Sequence, residues 1–141
     1  MEYDSWSPAD TFRIACSLGE QAKEGTVLCL TGALGVGKTL FSKGFAKGLG
    51  VKEDVSSPTF TIVQEYEDGR LPFYHFDVYR IEDIEEMEEI GFADRIYGTG
   101  ACLIEWAEQI VDLLPEHYTR VVIEKQLDRG FEYRRIRIEQ I

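Results

Sequence analysis

A glycine-rich segment, residues 32–39, reads Gly-Ala-Leu-Gly-Val-Gly-Lys-Thr and matches the spacing Gly-x-x-x-x-Gly-Lys-Ser/Thr in full. Glycines let a backbone fold tightly without Cβ clashes, so that successive N–H groups point at one anion. In this spacing Lys38 reaches the β- and γ-phosphates of a nucleotide, and the hydroxyl of Thr39 ligates Mg²⁺. The segment therefore predicts a site for a nucleoside triphosphate with magnesium. The predicted nucleotide contacts are Gly32, Ala33, Leu34, Gly35, Val36, Gly37, Lys38, Thr39 and Leu40.

The sequence on either side of residues 32–39 supports this prediction. Residues 26–30 form a short apolar run that is typical of a buried strand. From Lys38 onward, apolar residues recur at four-residue steps as far as Leu49, which predicts a helix. A loop between a strand and a helix gains the positive potential of the helix N-terminus. The alternative, a glycine-rich turn that matches by chance, is expected in about one chain of this length in a few hundred.

Two acidic residues follow apolar strand-like segments. Asp77 comes after residues 73–76, and Glu105 comes after residues 101–104. Ligands of α/β sheets bind at the carboxyl ends of the strands, and a buried acid is costly unless it is paired or bound to a metal. We expect Asp77 to hold Mg²⁺, directly or through water. We expect Glu105 to position the attacking water, with an outer-shell metal role as a further possibility.

A hydroxyl-rich loop, Ser-Ser-Pro-Thr-Phe at residues 56–60, has two interpretations. It is either an ordinary turn or a switch segment in which Thr59 senses the γ-phosphate and Mg²⁺. No Asn-Lys-x-Asp or Thr-Lys-x-Asp segment, which would read guanine, occurs in the chain. That favours ATP over GTP.

The remaining patterns predict one α/β domain, residues 1–141, with three layers and a mixed sheet. Ser7 is a suitable N-cap for a first helix with Pro8 at its first position. Two segments rich in β-branched and aromatic residues flank Glu-Asp-Gly-Arg at 67–70 and predict a β-hairpin. The last two strands are predicted to be connected by a turn at Asp-Arg-Gly, 128–130. Helices are predicted from Ser7 to about Gly25 and over 38–49 and 81–90, and strands over 26–30, 59–66, 71–79, 101–104, 121–125 and 133–138.

Charge limits the choice of partners. The formal net charge is −11, with 26 acidic and 15 basic residues among 141. Phosphate backbones repel such a protein, so we expect no direct binding to nucleic acid, although docking onto a basic protein partner stays open. The acidic segment at residues 82–89 is either a solvated helix face or a surface for such a partner.

Other sequence features exclude further classes. Cys16, Cys29 and Cys102 form no Cys-x-x-Cys pair, so a zinc site is not predicted. Cys29 and Cys102 lie inside apolar runs, where we expect them to be buried structural thiols. The apolar runs are far shorter than the ~20 residues that span a bilayer. The first six residues show no basic and apolar signal pattern, so we expect a cytoplasmic protein.

Four motifs occur together in one order along the chain. They are the glycine-rich segment at 32–39, Ser-Ser-Pro-Thr-Phe at 56–60, His-Phe-Asp-Val-Tyr-Arg at 75–80 and Ile-Glu-Trp at 104–106. With these motifs the chain resembles, over nearly its whole length, the TsaE (YjeE) family of bacterial P-loop ATPases. That family is needed for threonylcarbamoyladenosine in tRNA. The combination is far more specific than the glycine-rich segment alone.

The resemblance implies a fold, a reaction and partners. The fold is P-loop NTPase-like with a mixed, mainly parallel central sheet, and the cofactors are ATP and Mg²⁺. Family members act with TsaB and TsaD, which transfer a threonylcarbamoyl group to adenosine-37 of tRNAs that read codons beginning with A. TsaE proteins hydrolyse ATP slowly and are thought to reset that complex, so tRNA is reached only indirectly.

Residue roles follow from the resemblance by position. The implied catalytic residues are Glu105, Lys38 and the switch residue Thr59, and the implied metal ligands are Thr39, Asp77 and Glu105. Four further matching positions have no role that the residues indicate: His75, Tyr79, Arg80 and Trp106. The family usually has an acid where Ala33 stands and often has proline where Ala107 stands, but the phosphate chemistry requires neither.

Two other functions compete with the ATPase. A small P-loop kinase would phosphorylate a small-molecule acceptor, but it needs an acceptor pocket and a lid with arginines. Only the short acidic region after Tyr79 is available for such a lid. The other alternative is a binding module that holds a nucleotide without turnover.

Overall fold

A seven-stranded sheet runs through the computed structural model, which describes residues 1–33 and 35–141. The strands lie side by side in the order β1-β7-β6-β2-β5-β4-β3. They are β1 (Glu2–Ser5), β2 (Val27–Thr31), β3 (Val63–Tyr66), β4 (Phe73–Asp77), β5 (Ala101–Glu105), β6 (Thr119–Lys125) and β7 (Arg134–Gln140).

The four central strands, β6, β2, β5 and β4, run parallel to one another, while β3, β7 and β1 each pair antiparallel. The helices are α1 (Pro8–Gln21), α2 (Lys38–Gly48), α3 (Glu85–Glu89) and α4 (Phe92–Ile96), with 3₁₀ segments at Ala107–Leu113 and Leu127–Arg129. Parallel strands need crossover connections, and α2 and the segment with α3 and α4 lie within two of them. The carboxyl ends of β2, β5 and β4 therefore meet at one edge of the sheet.

Apolar side chains pack on both faces of the sheet and form three layers. On one face α1 and α2 cover alternate residues of the strands, such as Leu28, Leu30 and Leu103. On the other face α3, α4 and the first 3₁₀ segment cover the intervening residues, such as Cys29 and Ile104. This alternation is the period-two pattern of a strand buried on both sides. The predicted three-layer, P-loop NTPase-like fold with a mixed sheet is confirmed.

The local signals for the first helices and hairpins are also found. The Ser7 side chain accepts a hydrogen bond from the Asp10 N–H at 3.2 Å, and Pro8 is the first residue of α1. The hairpin β3–β4 and the hairpin β6–β7 are antiparallel, as predicted. The helix α1 ends at Gln21, four residues before the predicted end near Gly25.

The acidic segment departs from the prediction. Instead of one helix over 81–90, only Glu85–Glu89 is helical, and Gly91 adopts a left-handed conformation (φ 68°) before α4 begins. Ile84, predicted on the buried stripe, is 38% exposed. The Glu86 carboxylate accepts hydrogen bonds from the backbone N–H groups of Glu82 and Asp83, so it caps its own segment.

Cys29 and Cys102 are buried thiols, as the sequence predicts. Burial raises the pKa of the Cys29 thiol and of the Cys102 thiol to about 12 each. Both side chains are enclosed in the face that α3 and α4 cover, where they pack as small apolar groups.

Within the described residues, no helix has the length and apolar character to cross a membrane.

Candidate nucleotide-binding site

The glycine-rich segment connects the end of β2 to the start of α2. Gly37 is the N-cap of α2 with φ 110°, a left-handed conformation that a residue with Cβ adopts only with strain. At Gly32, an added Cβ would lie 2.7 Å from Val36 Cγ1 and 3.0 Å from the Ile123 carbonyl oxygen, so only glycine fits between β2 and β6. Two of the motif glycines are therefore required by this backbone, and α2 begins directly behind it.

The other predicted loop contacts have distinct environments. Ala33 and Gly35 are exposed, whereas Val36 is 2% exposed. The Val36 carbonyl accepts a hydrogen bond from Arg134 Nε at 2.8 Å, so β7 supports the loop. The predicted contact at Leu34 lies outside the described residues.

Leu40 lies in the first turn of α2 and lines a cavity of about 210 Å³. The cavity also adjoins the phosphate loop at Val36 and Gly37, on the side of the loop next to α1 and β7. Its other walls come from Pro8, Thr11, Phe131, Glu132 and Arg134. The lining of this cavity is mostly apolar.

Lys38 points toward the carboxyl end of β5. Its Nζ lies 4.2 Å from the centroid of the Trp106 ring, and the residue is 8% exposed. An ammonium over the face of an indole is attracted by the ring quadrupole. Trp106 follows Glu105 and has a left-handed conformation (φ 65°). Because Trp106 directly follows Glu105, its contact with Lys38 places the lysine next to the end of the strand that carries Glu105.

The two acids lie on the same face of the sheet. Asp77 and Glu105 are register partners in adjacent parallel strands, which lie about 4.8 Å apart. Side chains alternate along a strand, so Asp77 shares a face with Phe73, and Glu105 shares one with Leu103. Phe73 and Leu103 belong to the core that α1 and α2 cover. Both carboxylates therefore lie on the side of the sheet where α2 begins.

Asp77 connects this edge of the sheet to the hydroxyl-rich loop. The residue is 7% exposed, and its Oδ2 accepts a hydrogen bond from Thr59 Oγ1 at 3.5 Å. Its Oδ1 accepts from the Tyr79 N–H at 3.1 Å. Thr59 Oγ1 also lies 2.7 Å from Ser57 Oγ. The structure thus brings Thr59 and Asp77 together, two residues that the sequence assigned to the same magnesium end of the site.

Glu105 is held by the strand next to it. It is 4% exposed, and its Oε2 lies 2.7 Å from Nε2 of His75, which is fully buried. The residue pattern assigns His75 no role, because it does not show that β4 and β5 are neighbours. The signal that would have found this contact is the parity of β4: His75 stands two residues before Asp77 and so shares its face.

Aromatic residues follow the ends of the two strands and the hydroxyl-rich loop. The rings of Tyr79 and Trp106 are tilted against each other with centroids 4.7 Å apart, and Arg80 lies 4.7 Å above the ring of Phe60. Phe60 is 83% exposed and Tyr79 is 55% exposed. The Arg80 guanidinium therefore packs on an exposed aromatic ring.

The oxygen donors at this edge suit magnesium. Thr39 lies on the exposed side of the first turn of α2 and supplies a hydroxyl, and Asp77 and Glu105 supply carboxylates. Mg²⁺ is held by one or two carboxylates plus phosphate oxygens and water, rather than by a complete protein cage. Among the residues that the structure describes, no group of three or more His, Cys, Asp or Glu side chains is arranged around a metal position. The donor set fits a site that substrate phosphates complete.

A glycine-rich loop between a buried strand and a helix, with acids at the ends of the neighbouring strands, defines the P-loop class of α/β proteins. Comparison with known proteins then identifies the family. The sequence model of the family described as "Threonylcarbamoyl adenosine biosynthesis protein TsaE" matches residues 5–136. The chain belongs to the TsaE family, as the sequence motifs predicted.

Individual relatives agree with this assignment. The chain is 48% identical over 128 residues to the tRNA threonylcarbamoyladenosine biosynthesis protein TsaE of Bacillus subtilis, covering 91% of this chain and 80% of that protein. It is 44% identical to the protein of the same name from Treponema pallidum, covering 91% and 94%. The crystal structure of Bacillus subtilis YdiB superposes with a TM-score of 0.83 at 40% identity, covering 99% of this chain and 84% of that one.

Proposed function

We propose that this protein is a magnesium-dependent ATP hydrolase that acts in the biosynthesis of threonylcarbamoyladenosine in tRNA. The observation that carries the proposal is the meeting of three groups at one edge of the sheet: Lys38 at the start of α2, Asp77 at the end of β4 and Glu105 at the end of β5. A site for phosphate binding alone needs only the first of these. The pathway is proposed from the membership of the TsaE family and from the names of its relatives.

Phosphate binding is assigned to the loop and to Lys38. The backbone N–H groups at the start of α2 have no partner within the helix and favour an anion. The Lys38 ammonium contacts the Trp106 ring and makes none of the described salt bridges, so no carboxylate competes with phosphate for it. We expect it to reach the β- and γ-phosphates from this position.

Thr39 and Asp77 would hold the magnesium ion, with Asp77 acting directly or through water. Held there, the ion would neutralise negative charge that develops on the nucleotide phosphates. Thr59 donates to Asp77, so the loop at residues 56–62 is connected to the metal end of the site. This contact supports the assignment of Thr59 as a switch residue.

We assign to Glu105 the positioning of the attacking water. In this proposal Lys38 and the loop hold the phosphates, so the Glu105 carboxylate on the neighbouring strand is not needed for phosphate binding and can bind the attacking water. One oxygen, Oε2, is occupied by His75, and Oε1 makes no hydrogen bond among the described residues. That oxygen would orient water toward the γ-phosphate and accept its proton.

The cavity at Leu40, mostly apolar and next to the glycine-rich loop, has the character of a nucleobase pocket. Its volume of about 210 Å³ accommodates a purine base, and it lies next to the phosphate loop on the side away from Asp77 and Glu105. The absence of an Asn-Lys-x-Asp segment from the sequence removes the commonest basis for reading guanine.

The proposed partners are TsaD and TsaB, with tRNA reached only through them, in the cytoplasm. A net charge of −11 disfavours direct contact with tRNA and permits docking onto a basic protein surface. We expect low intrinsic hydrolysis that rises when the partners are present.

One experiment tests the proposal against both alternatives. Phosphate release from ATP is measured for the protein alone, with candidate small-molecule alcohols, and with purified TsaB–TsaD. The ATPase predicts free phosphate that increases with TsaB–TsaD. Phosphorylated acceptor would instead indicate a kinase, and binding of ATP without phosphate release in any mixture would indicate a nucleotide-binding module.

A further inference from the structure

His75 is a buried polar residue that the proposed chemistry does not use. It lies in β4, is 0% exposed, and stacks on Phe73 with ring centroids 5.9 Å apart and planes 15° apart. Its Nε2 lies 2.7 Å from Glu105 Oε2 and 3.4 Å from Ser42 Oγ. A histidine that made no hydrogen bond would be unexpected at such a position, because burying an apolar side chain costs less free energy than burying an imidazole.

The hydrogen-bond directions can be assigned from the partners. Ser42 Oγ donates to the Lys38 carbonyl at 2.9 Å, so its remaining capacity toward His75 is as an acceptor. Oε2 of Glu105 is a carboxylate oxygen, which accepts the hydrogen bond. Nε2 of His75 therefore carries the proton and donates it.

The other ring nitrogen supports the same tautomer. His75 Nδ1 is buried and has no hydrogen-bond partner among the described residues. A proton there would be a buried donor without an acceptor, which is costly. The ring is therefore the Nε2–H tautomer, with Nδ1 bare.

This donor connects three elements of the site. His75 lies on β4, Glu105 on β5, and Ser42 on α2, where its hydroxyl bonds to the backbone of Lys38. Fixing Oε2 prevents rotation of the Glu105 carboxylate and leaves Oε1 available. It also fixes Glu105 relative to the helix that begins at the phosphate loop.

We propose that His75 is a positioning residue: its Nε2–H holds Glu105 in the orientation from which the carboxylate directs the attacking water. The inference rests on the proposed ATPase function. Residues that orient a reactive group through a hydrogen bond typically change activity by about 10–100-fold when the bond is removed. Their loss does not change substrate binding when the oriented group does not hold the substrate.

The test uses three variants that separate the donor from the bulk of the ring. The amide nitrogen of Gln reaches the place of histidine Nε2, the amide nitrogen of Asn reaches only the place of Nδ1, and Leu has no donor. We expect His75→Leu and His75→Asn to lower the single-turnover rate at saturating ATP by about tenfold or more, with ATP affinity within a few-fold of wild type. His75→Gln should recover most of the rate. Equal rates for the Asn and Gln variants, or a wild-type rate for the Leu variant, would overturn the inference.

A double-mutant cycle distinguishes positioning from general damage to the fold. If His75 acts through Glu105, then adding His75→Leu to Glu105→Gln should lower the rate no further than Glu105→Gln alone. A further drop by the same factor as in the wild-type background would show that His75 acts elsewhere. Thermal unfolding of each variant provides the control for folding.

A measurement without hydrolysis keeps the inference separate from the proposed function. The chain has two histidines, and the ¹⁵N spectrum of the imidazole rings, assigned with the His75→Gln variant, reports which nitrogen carries the proton. We expect the Nε2–H form at His75, and an Nδ1–H form would refute the positioning role. If wild type shows this form but releases no phosphate even with TsaB–TsaD, the ATPase proposal fails and the hydrogen bond stands.

Discussion

Replacing Glu105 with Gln is the change that best separates chemistry from binding. The side chain is 4% exposed, and Gln matches its size, so the enclosure of the site should be kept. The amide oxygen of Gln can still accept the hydrogen bond from His75 that Oε2 accepts now at 2.7 Å. The variant therefore loses the charge and the basic oxygen while the geometry stays nearly the same.

The magnitude follows from this division of roles. General-base catalysis contributes typically 10²–10⁴-fold, so single-turnover hydrolysis with TsaB–TsaD present should fall by roughly 10²-fold or more. ATP affinity should stay within a few-fold of wild type, because in the proposed site Lys38 and the loop at the start of α2 hold the phosphates. Rapid mixing of enzyme in excess over ATP gives the rate of the chemical step, and calorimetry gives the affinity.

Glu108→Gln is the matched control, because it removes one negative charge from an exposed position three residues further along. It should hydrolyse ATP like the wild type. A Glu105→Gln variant with much weaker ATP binding but a normal rate for the bound ATP would refute the reasoning. Glu105 would then be mainly a magnesium-site residue, and Asp77 would be the first candidate for positioning the water.

Three further changes test the rest of the site. Lys38→Ala removes a charge-assisted contact worth about 1.5–3 kcal/mol, so ATP affinity should fall tenfold or more; unchanged affinity by calorimetry would place the phosphates elsewhere. Thr39→Ala and Asp77→Ala should each impair Mg²⁺-dependent hydrolysis more than they lower the unfolding temperature, and normal hydrolysis by Asp77→Ala across a magnesium titration would contradict its assignment. Reversing Glu85 and Glu89, two exposed acids of α3, to Lys should weaken binding to TsaB–TsaD and reduce its salt dependence while intrinsic hydrolysis survives. Binding equal to wild type would instead indicate a solvated helix face.

Those two glutamates are chosen because the structure changes the interpretation of the acidic segment. Glu86 also belongs to it, but its carboxylate accepts from two backbone N–H groups, so reversing its charge would disturb the segment itself. A sequence pattern cannot reveal this, because an acid that caps its own segment and an acid that faces solvent look alike in a charge run.

The elements that carry the site could be predicted from local signals. The glycine motif between a strand pattern and a helix pattern predicts β2, the loop and α2, and each depends on residues close together in the chain. The positions of Asp77 and Glu105 follow as well, since the ends of apolar runs can be read directly and parallel strands present their ends at one edge. The close register of these two acids was not predictable without knowing that β4 and β5 are neighbours.

Elements that depend on distant partners were missed. The strand β1 has only four residues, mostly polar, and forms because β7 offers an edge to pair with. The break before α4 depends on the left-handed conformation of Gly91, and glycine by itself marks a helix end only in some contexts. The contact of His75 with Glu105 joins residues 30 apart, and the contact with Ser42 joins residues 33 apart.

The two acids of the site are held in different ways, and this difference has a consequence for the cycle. Glu105 is fixed by His75, a fully buried residue of the neighbouring strand. Asp77 contacts Thr59 at 3.5 Å, near the limit of a hydrogen bond, and Thr59 belongs to a loop whose next residue, Phe60, is 83% exposed. Moving Thr59 away from Asp77 would break one long hydrogen bond, whereas moving Glu105 would require breaking contacts between β4, β5 and α2. If hydrolysis controls the interaction with TsaB–TsaD, we expect Thr59 and Phe60 to change position with the nucleotide state and to alter the surface that the partners contact. Glu105 should keep one position throughout the cycle.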